Sequence, residues 1–465
     1  MLWHTPGQTR AADSVRSLFT LDAAAPFADV AQPAAAPEKR ACEGCPRRSV
    51  GKALFQTFAI NVLYNLANRT RPGETQYMAV TPKTWWANMK YGFEWDQNGF
   101  AVNQFGHPYQ GNNYYTAARA NGLSFWESAP VAAFGSATWE YFGETNKPSV
   151  NDFINTTLGG IALGEMFHRT AWLIRDTTST GKPRLVRELV ATVFDPLTGA
   201  NRFLSGDASR VSEKPRDMVP SGLGAVASAG ILWQGDDAHA YEAAGEPFLE
   251  ADLRYGKDAA TGRSRTPYEV FTVSLRLGGG QAISDVHVRG QLLGQPLGGG
   301  SGRRGRLTLF QAYDYASNKA YELGGQSIIA GVGRKFALSA RSSMTLAGFG
   351  GVIVLGAVDS LGEPGSERDY DYGPGTAFAG MAAFDFDGRA NATVSYQGFQ
   401  IYVVDGARAN HVMQTVRVNL QVPIRGRLDV GTAYEYFYRK TYYQYQDDRR
   451  QHFPQVRVFF AWRQS

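Results

Sequence analysis

The chain has 465 residues, including 52 glycines and 13% aromatic residues, and this length is too great for one ordinary hydrophobic core. Its 47 basic and 42 acidic residues nearly balance, and no dense lysine or arginine run suggests a nucleic-acid partner. No run of about 18 uninterrupted apolar residues exists, so a transmembrane helix is not expected. The negative mean hydropathy is compatible with a membrane barrel, whose strands are only half apolar.

Residues 1–49 are predicted to be a disordered leader, rich in alanine and proline with little periodicity. The leader lacks the apolar core of a signal peptide, so an exported protein would be processed or would start further upstream. Cys42 and Cys45 form a C-x-x-C, the only cysteines of the chain. A small structural disulfide is favoured over a redox or metal role, because no further ligands are evident nearby.

Residues 50–182 are predicted to form a helical domain. Apolar residues recur at helical spacing over 50–69, at Leu54, Phe58, Val62 and Leu66. The following "TWWANMKYGFEWD" is compatible with a strand or an extended segment. Helical spacing returns from Gly111 to about Glu144, with a break at Gly122.

The run "PSVND" predicts the start of another helix. Ser149 would cap it, and Asp152 would be the third-position acid of a capping box. Asn151 and Asn155 share a face, and Gly160 belongs to a flat, small-residue surface that lets another backbone approach. These helices carry polar and small residues where an ordinary bundle would carry leucine.

Residues 220–465 are predicted to form a membrane β-barrel, joined to the helical domain by a linker at 183–219. In "FLEADLRY" and "FTVSLRL" apolar and polar residues alternate, and the segments reach about ten residues, as tilted membrane strands require. Turn signals such as "GGG" at 278–280 and "DG" at 387–388 separate about twelve antiparallel strands. The fold class is therefore an all-β membrane barrel with an N-terminal α-helical domain.

A lumen of about twelve strands is wide enough to hold helices or loops. Because the predicted helices are polar, we expect them in or against the lumen, as a plug. A periplasmic domain beside the barrel is the alternative.

The stretch from Trp95 to Glu165 contains four short motifs, namely N-Q-F-x-H-P-Y-x-G, W-E followed by a second acid, P-S-x-N-D and G-G-x-x-x-G-E. Together they resemble a bacterial family of unknown function, numbered 3943. The resemblance implies an exported envelope protein with a barrel-like second half, and no assigned activity. The structural motif residues are Asn103, Pro108, Tyr109, Gly111, Arg119, Pro148, Ser149, Asn151, Asn155, Gly160 and Glu165.

Three interpretations of the polar motif residues remain open. As a hydrolase of envelope lipids, the chain would use His107 with a carboxylate to activate either water or a serine, although no G-x-S-x-G supports it. The available serines are Ser124, Ser128, Ser136 and Ser149. A metal site of His107, Glu140, Glu144 and His168 is weaker, because no H-E-x-x-H is present. In the third interpretation the groups satisfy one another, with Arg119 paired to Glu140 or Glu144 and Glu165 to Arg169.

The sequence thus predicts a bacterial outer-membrane barrel of structural or transport-related role, with the helices as lumen plug or gate. The alternative is a lipid-modifying enzyme, whose candidate catalytic residues are His107, Glu140, Glu144 and Asp152. No metal or other cofactor is predicted. Outer-membrane lipid and the barrel-assembly machinery are the expected partners, and the sequence does not determine the oligomeric state.

Overall fold

A computed structural model of the chain describes residues 45–73, 75–235, 244–257, 266–297, 305–360 and 368–464. Most of the predicted leader lies outside these residues. Helices precede a closed barrel of twelve antiparallel strands, so the predicted fold class is confirmed. No helix among the described residues is both long and apolar enough to cross a membrane.

The helices begin at Val50, where the Ser49 side chain accepts a hydrogen bond from Lys52 N. The segment left open in the sequence forms a helix from Pro82, capped by Thr81. The α-helices are α1 (Val50–Asn68), α2 (Pro82–Tyr91), α3 (His107–Arg119), α4 (Phe125–Phe142), α5 (Val150–Ile154), α6 (Gly160–Ile174), α7 (Gly181–Phe194) and α8 (Pro196–Ser205). The predicted linker at 183–219 therefore contains most of α7, all of α8 and a 3-10 turn at Arg216–Met218.

The first strand begins at Leu223, close to the predicted start of the barrel. The strands are β1 (Leu223–Gln234), β2 (Glu246–Tyr255), β3 (Phe271–Gly278), β4 (Gln281–Leu297), β5 (Gly305–Ser317), β6 (Glu322–Ala337), β7 (Ser342–Asp359), β8 (Tyr370–Phe386), β9 (Ala390–Tyr402), β10 (Ala409–Arg425), β11 (Leu428–Tyr443) and β12 (Arg449–Gln464). Each strand pairs with its sequence neighbours, and β1 pairs with β12 to close the barrel.

Alternation along the strands separates an inward from an outward face. Arg276 on β3 lies 4.0 Å from Glu435 on β11, and the rings of Phe310 on β5 and Phe349 on β7 are 6.3 Å apart. Contacts between strands that are not neighbours cross the lumen, so these residues face inward. On β10 the opposite set, including Val416 and Val418, is exposed and faces outward.

The helical domain packs against the outward face of β2 to β8. Tyr313 of β5 donates a hydrogen bond to the backbone oxygen of Gln104 at 2.8 Å, and Phe125 of α4 stacks on Tyr268 at 5.5 Å. One apolar cluster joins helix residues to outward-facing strand residues. Its members include Ile161, Leu163, Met166, Val286, Val288, Tyr315 and Leu355.

These contacts correct the expectation of a helical plug, because the helices lie on the outer wall of the barrel. Their polar groups bond to one another and to outward-facing tyrosines. Inside the barrel, charged side chains of the strands bond to one another instead, as in the 2.7 Å pair between Arg276 and Glu250. The helices and the lumen wall are both polar, but the polar groups of each are satisfied by other partners.

Candidate functional site

Two π-helical turns bring the motif residues together. Val102–Gly106 leads directly into α3, and Asn155–Gly159 leads directly into α6. The π turn inserts an extra residue into a helix and recurs at functional sites. A Cβ added at Gly111 would lie 1.8 Å from the Thr156 carbonyl oxygen and 3.0 Å from Gly160 Cα, so the backbone of α3 touches the second π turn and the start of α6. Glycine is required there for the helices to approach.

His107, the first residue of α3, lies between an acid and a hydroxyl. Its Nε2 is 3.7 Å from Asp152 Oδ1, and its Nδ1 is 3.4 Å from Thr156 Oγ1. Both distances are long for hydrogen bonds. Asp152 is fully buried, and this burial raises its pKa to about 6 although His107 lowers it. The structure thus brings together His107 and one of its predicted acids.

Glu140 serves the backbone rather than His107. Its Oε2 accepts the backbone N–H of Ser149 at 2.8 Å, while Ser149 Oγ accepts that of Asp152 at 3.2 Å. In the predicted capping box the Asp152 side chain would accept the backbone N–H of Ser149. Glu140 accepts this hydrogen bond instead. Burial, reinforced by the charges of Asp152 and Glu144, raises the pKa of Glu140 well above its usual range.

Glu140 lies in α4, whereas Glu144 lies beyond the last residue of that helix, Phe142. His168 belongs to a different site, where its Nδ1 contacts Asp195 Oδ2 at 2.7 Å. Within the part of the chain that the structure describes, no group of three or more His, Cys, Asp or Glu side chains is arranged to hold a metal ion.

Amide side chains of the motif join the helices to the barrel. Asn103 Nδ2 donates to the Tyr370 hydroxyl at 2.7 Å, and Asn151 Nδ2 donates to the Tyr372 hydroxyl at 3.1 Å. Asn155 Nδ2 donates to the backbone oxygen of Asn103 at 3.2 Å. Both tyrosines face outward on β8, so the motif asparagines lie at the interface between the two parts of the molecule.

Glu165 lies at the centre of a second buried group. Its oxygens contact Arg119 Nε at 2.9 Å and Arg169 Nε at 2.8 Å, and Tyr115 donates its hydroxyl at 2.8 Å. Burial alone would raise the pKa of Glu165, but Arg119 and Arg169 lower it to about 2. The partner of Arg119 is therefore Glu165, not Glu140 or Glu144, while the i,i+4 pair of Glu165 with Arg169 is confirmed.

The remaining motif residues have packing roles. A Cβ added at Gly159 would lie 2.7 Å from Pro108 Cβ, so this proline packs against the start of α6. Tyr109 contacts the rings of Phe105 and Phe167. The carbonyl of Pro148 accepts the backbone N–H of Glu94 at 2.8 Å. A Cβ at Gly160 would lie 2.5 Å from Gly111 C, which completes the close contact of α3 and α6.

Each of the candidate serines has a hydrogen-bond partner other than His107. Ser124 and Ser149 cap α4 and α5, Ser128 donates to the Ser124 carbonyl at 2.8 Å, and Ser136 donates to the Phe153 carbonyl at 3.4 Å. The hydroxyl that contacts His107 among the described residues is that of Thr156, not that of a serine. That side chain is buried, at 2% exposure.

Cys45 is disulfide-bonded. Cys42, its predicted partner, lies outside the described residues.

Sequence reasoning missed a set of charged residues inside the barrel, which we name the lumen network. It consists of Glu250, Arg276, Asp285, Arg417, Glu435 and Arg457. Glu250 binds Arg276 at 2.7 Å and Arg457 at 2.8 Å, and Glu435 binds Arg457 at 2.5 Å. The available signal was the position of these charges on the polar faces of the predicted strands.

Solved structures with some likeness to the chain include porins. The "NanC porin" is 8% identical over 51% of this chain and 99% of that chain, with a TM-score of 0.29. The "KdgM porin in complex with disordered oligogalacturonate" is 9% identical over 50% of this chain and 98% of that chain, with a TM-score of 0.24. The "Anion-selective porin from Comamonas acidovorans" is 7% identical over 52% of this chain and 99% of that chain, with a TM-score of 0.23.

No curated protein matches the chain. Residues 92–197 match the profile of a family described as "Domain of unknown function (DUF3943)". The match contains the motif region from Trp95 to Glu165, so the resemblance noted from the sequence is confirmed.

Proposed function

We propose that the protein is a bacterial outer-membrane barrel of transport-related or structural role, whose lumen is closed by side chains of its own strands. The outward face supports the membrane location, because apolar side chains are exposed along β9 to β12 and β1. They include Ile231, Val394, Val416, Val418, Leu420, Val422, Leu428, Tyr434, Val458, Phe460 and Trp462. Such a face suits lipid, with aromatic residues near its borders.

Two partners belong to this proposal. Outer-membrane lipid would cover the apolar outward face. The barrel-assembly machinery would insert the chain through its terminal strand β12, which alternates between outward Val458, Phe460 and Trp462 and inward residues.

The lumen network is the observation that carries the proposed closure. Its contacts join β2, β3 and β4 to β10, β11 and β12 across the interior. Glu435 alone contacts Arg417 at 2.8 Å, Arg457 at 2.5 Å and Arg276 at 4.0 Å. Because Glu435 is fully buried, these pairs occupy the path that a solute would follow.

Pairing also determines which ions the lumen would accept. Paired charges cancel locally, whereas an unpaired arginine ring attracts anions, as charged rings do in selective pores. Removing the charge of Glu435 would leave three arginines short of a carboxylate. Repulsion between these arginines would then push their side chains apart, so the lumen would open and would prefer anions.

Planar-bilayer conductance tests the proposed closure. We expect Glu435→Gln to show anion-selective conductance steps that the wild type lacks at the same voltage. The matched control is Glu94→Gln, whose carboxylate is paired with Lys147 on the surface of the helical domain, and it should behave as the wild type. A wild-type conductance equal to that of Glu435→Gln would contradict closure by the network.

The geometry around His107 supports the lipid-hydrolase alternative less well than the barrel role. His107 does lie between Asp152 and Thr156, but the hydroxyl is buried and both distances are long. The four candidate serines have backbone partners or capping roles.

A further inference from the structure

The helix α1 has an inverted distribution of polarity. From Phe55 to Ala67 every exposed side chain is apolar, and the exposed residues are Phe55, Phe58, Val62, Leu63, Leu66 and Ala67. We name these residues the α1 outer face. The fully buried positions of the same stretch are Thr57, Ile60, Asn61 and Asn65, of which three are polar. A surface helix of a water-soluble protein shows the reverse arrangement.

The buried side of α1 is held by hydrogen bonds. Asn61 Nδ2 donates to the carbonyl of Gly135 at 3.1 Å and to Thr138 Oγ1 at 2.8 Å. Asn65 Nδ2 donates to the carbonyls of Met78 at 2.9 Å and Gly143 at 2.8 Å. Polar side chains thus attach α1 to α4, while its large apolar side chains point away from the protein.

The helix α7 shows a similar inversion, although it also exposes the charged residues Lys182 and Arg187, and Arg187 pairs with Asp176 at 3.5 Å. Its buried residues include Arg184 and Glu188, and Glu188 is bound by Arg175 at 3.1 Å and Arg202 at 2.8 Å. Its exposed residues include Leu185, Val186, Leu189, Val190 and Val193. Two helices of different sequence therefore bury charged or amide groups and expose aliphatic ones.

The position of the domain connects these faces with the outward face of the barrel. The helices cover Val286 and Val288 on β4, while Leu293, further along the same strand, is 50% exposed. On the domain itself, Trp126 and Phe134 of α4 add to the exposed apolar surface. The apolar outer surface of the helical domain thus adjoins the apolar surface of the barrel.

We infer that the α1 outer face lies among the acyl chains of the membrane, so that the membrane surrounds a barrel and helices packed on its outer wall. The inference rests on the proposed membrane location. Lipid fits the surface because helices satisfy their own backbone hydrogen bonds, and because polar side chains in a membrane turn toward protein partners. No charged residue lies between Phe55 and Ala67, whereas Lys52 and Arg69 flank the segment and can reach the polar interface.

Nitroxide labels in proteoliposomes test this inference. Single variants Leu63→Cys and Phe55→Cys place the label on the α1 outer face, and Cys45 is already disulfide-bonded. Val418→Cys labels the outward face of β10, and Tyr445→Cys labels an exposed loop beyond β11. Oxygen partitions into the bilayer, whereas a nickel chelate stays in water. We expect oxygen to relax the labels at Leu63, Phe55 and Val418, and the chelate to relax the label at Tyr445.

The outcomes separate this inference from the proposed function. Labels on α1 that respond to the nickel chelate, beside a lipid-exposed Val418 label, would overturn the inference and leave the membrane barrel standing. Labels on α1 shielded from both reagents would mean that a second copy or another protein covers the face, which also overturns it. A water-exposed Val418 label would overturn the proposed membrane location itself.

Discussion

Two buried carboxylates of the helical domain, Asp152 and Glu165, have pKa values shifted in opposite directions because their neighbours differ. Asp152 is near His107, with a weak contact, and burial raises its pKa from 3.8 to about 6. Glu165 has two arginines and a tyrosine, and its pKa falls from 4.5 to about 2 despite burial. The folded state therefore binds the proton of Asp152 more strongly, and that of Glu165 less strongly, than the unfolded chain does.

The Asp152→Asn variant tests the sign of this difference. Between about pH 4 and 6 the folded wild type binds more protons at Asp152 than the unfolded chain, so its stability decreases as the pH rises. The free energy of unfolding of the wild type minus that of Asp152→Asn should fall by on the order of 1–3 kcal/mol across this window. Urea titrations followed by tryptophan fluorescence would measure it.

Glu165→Gln is the contrasting variant. The stabilisation from Glu165 is present above about pH 4.5 and is lost as the pH falls toward 2. The free energy of unfolding of the wild type minus that of Glu165→Gln should therefore decrease on acidification. If the free energy of unfolding of the wild type minus that of Asp152→Asn instead increased with pH, the assignment of a raised pKa to Asp152 would be wrong.

At the scale of elements, the contact of α3 with α6 organises the helical domain. The two π turns precede these helices, and Gly111 and Gly160 let their backbones meet. The sequence indicated a close approach from its small residues, but it did not identify the partner. The spacing of Gly111 from Gly160 along the chain carries no information about their distance in space.

Gly111→Ala should disrupt this contact. The added Cβ would meet the Thr156 carbonyl oxygen at 1.8 Å, and a backbone atom cannot move aside as the end of a flexible side chain can. We expect the free energy of unfolding to fall by about 1–3 kcal/mol, which is the usual cost of overpacking. Urea-induced unfolding of the helical domain, followed by fluorescence, would measure the loss.

Gly51→Ala is the matched control in α1. A Cβ there has no heavy atom within 4 Å, so the substitution should be neutral or should stabilise by up to about 1 kcal/mol through helix propensity. Equal stability of Gly111→Ala and the wild type would contradict the close contact of the two helices.

For the whole molecule, the barrel was predictable and the position of the helices was not. Alternation is a local signal, so Val416 and Val418 indicate a strand from their own neighbourhood. The same alternation places Val286 and Val288 on an outward face, but it does not distinguish lipid from a packed helix. Tyr370 and Tyr372 likewise resemble membrane-border aromatics in the sequence, whereas they bind Asn103 and Asn151 in the structure.

The sequence predicted only part of the group around His107, and it did not predict the partners of that group. The motif identified His107, Asp152 and Asn151, which the structure brings together. Their roles depend on partners far along the chain, such as Tyr372, and local patterns do not reveal such pairs. The lumen network was missed for the same reason, because Glu250 and Arg457 meet only when the barrel closes.

Disulfide cross-linking tests most directly whether the helices pack on the outer wall of the barrel. Gly324 faces outward on β6, and a Cβ added there would lie 2.6 Å from Gln104 Cγ. Its neighbour Gly325 faces the lumen. In the double variant Gln104→Cys with Gly324→Cys, we predict a disulfide on a non-reducing gel. With Gly325→Cys in place of Gly324→Cys, we predict none, and preferential cross-linking through Gly325→Cys would contradict the outer-wall position of the helices.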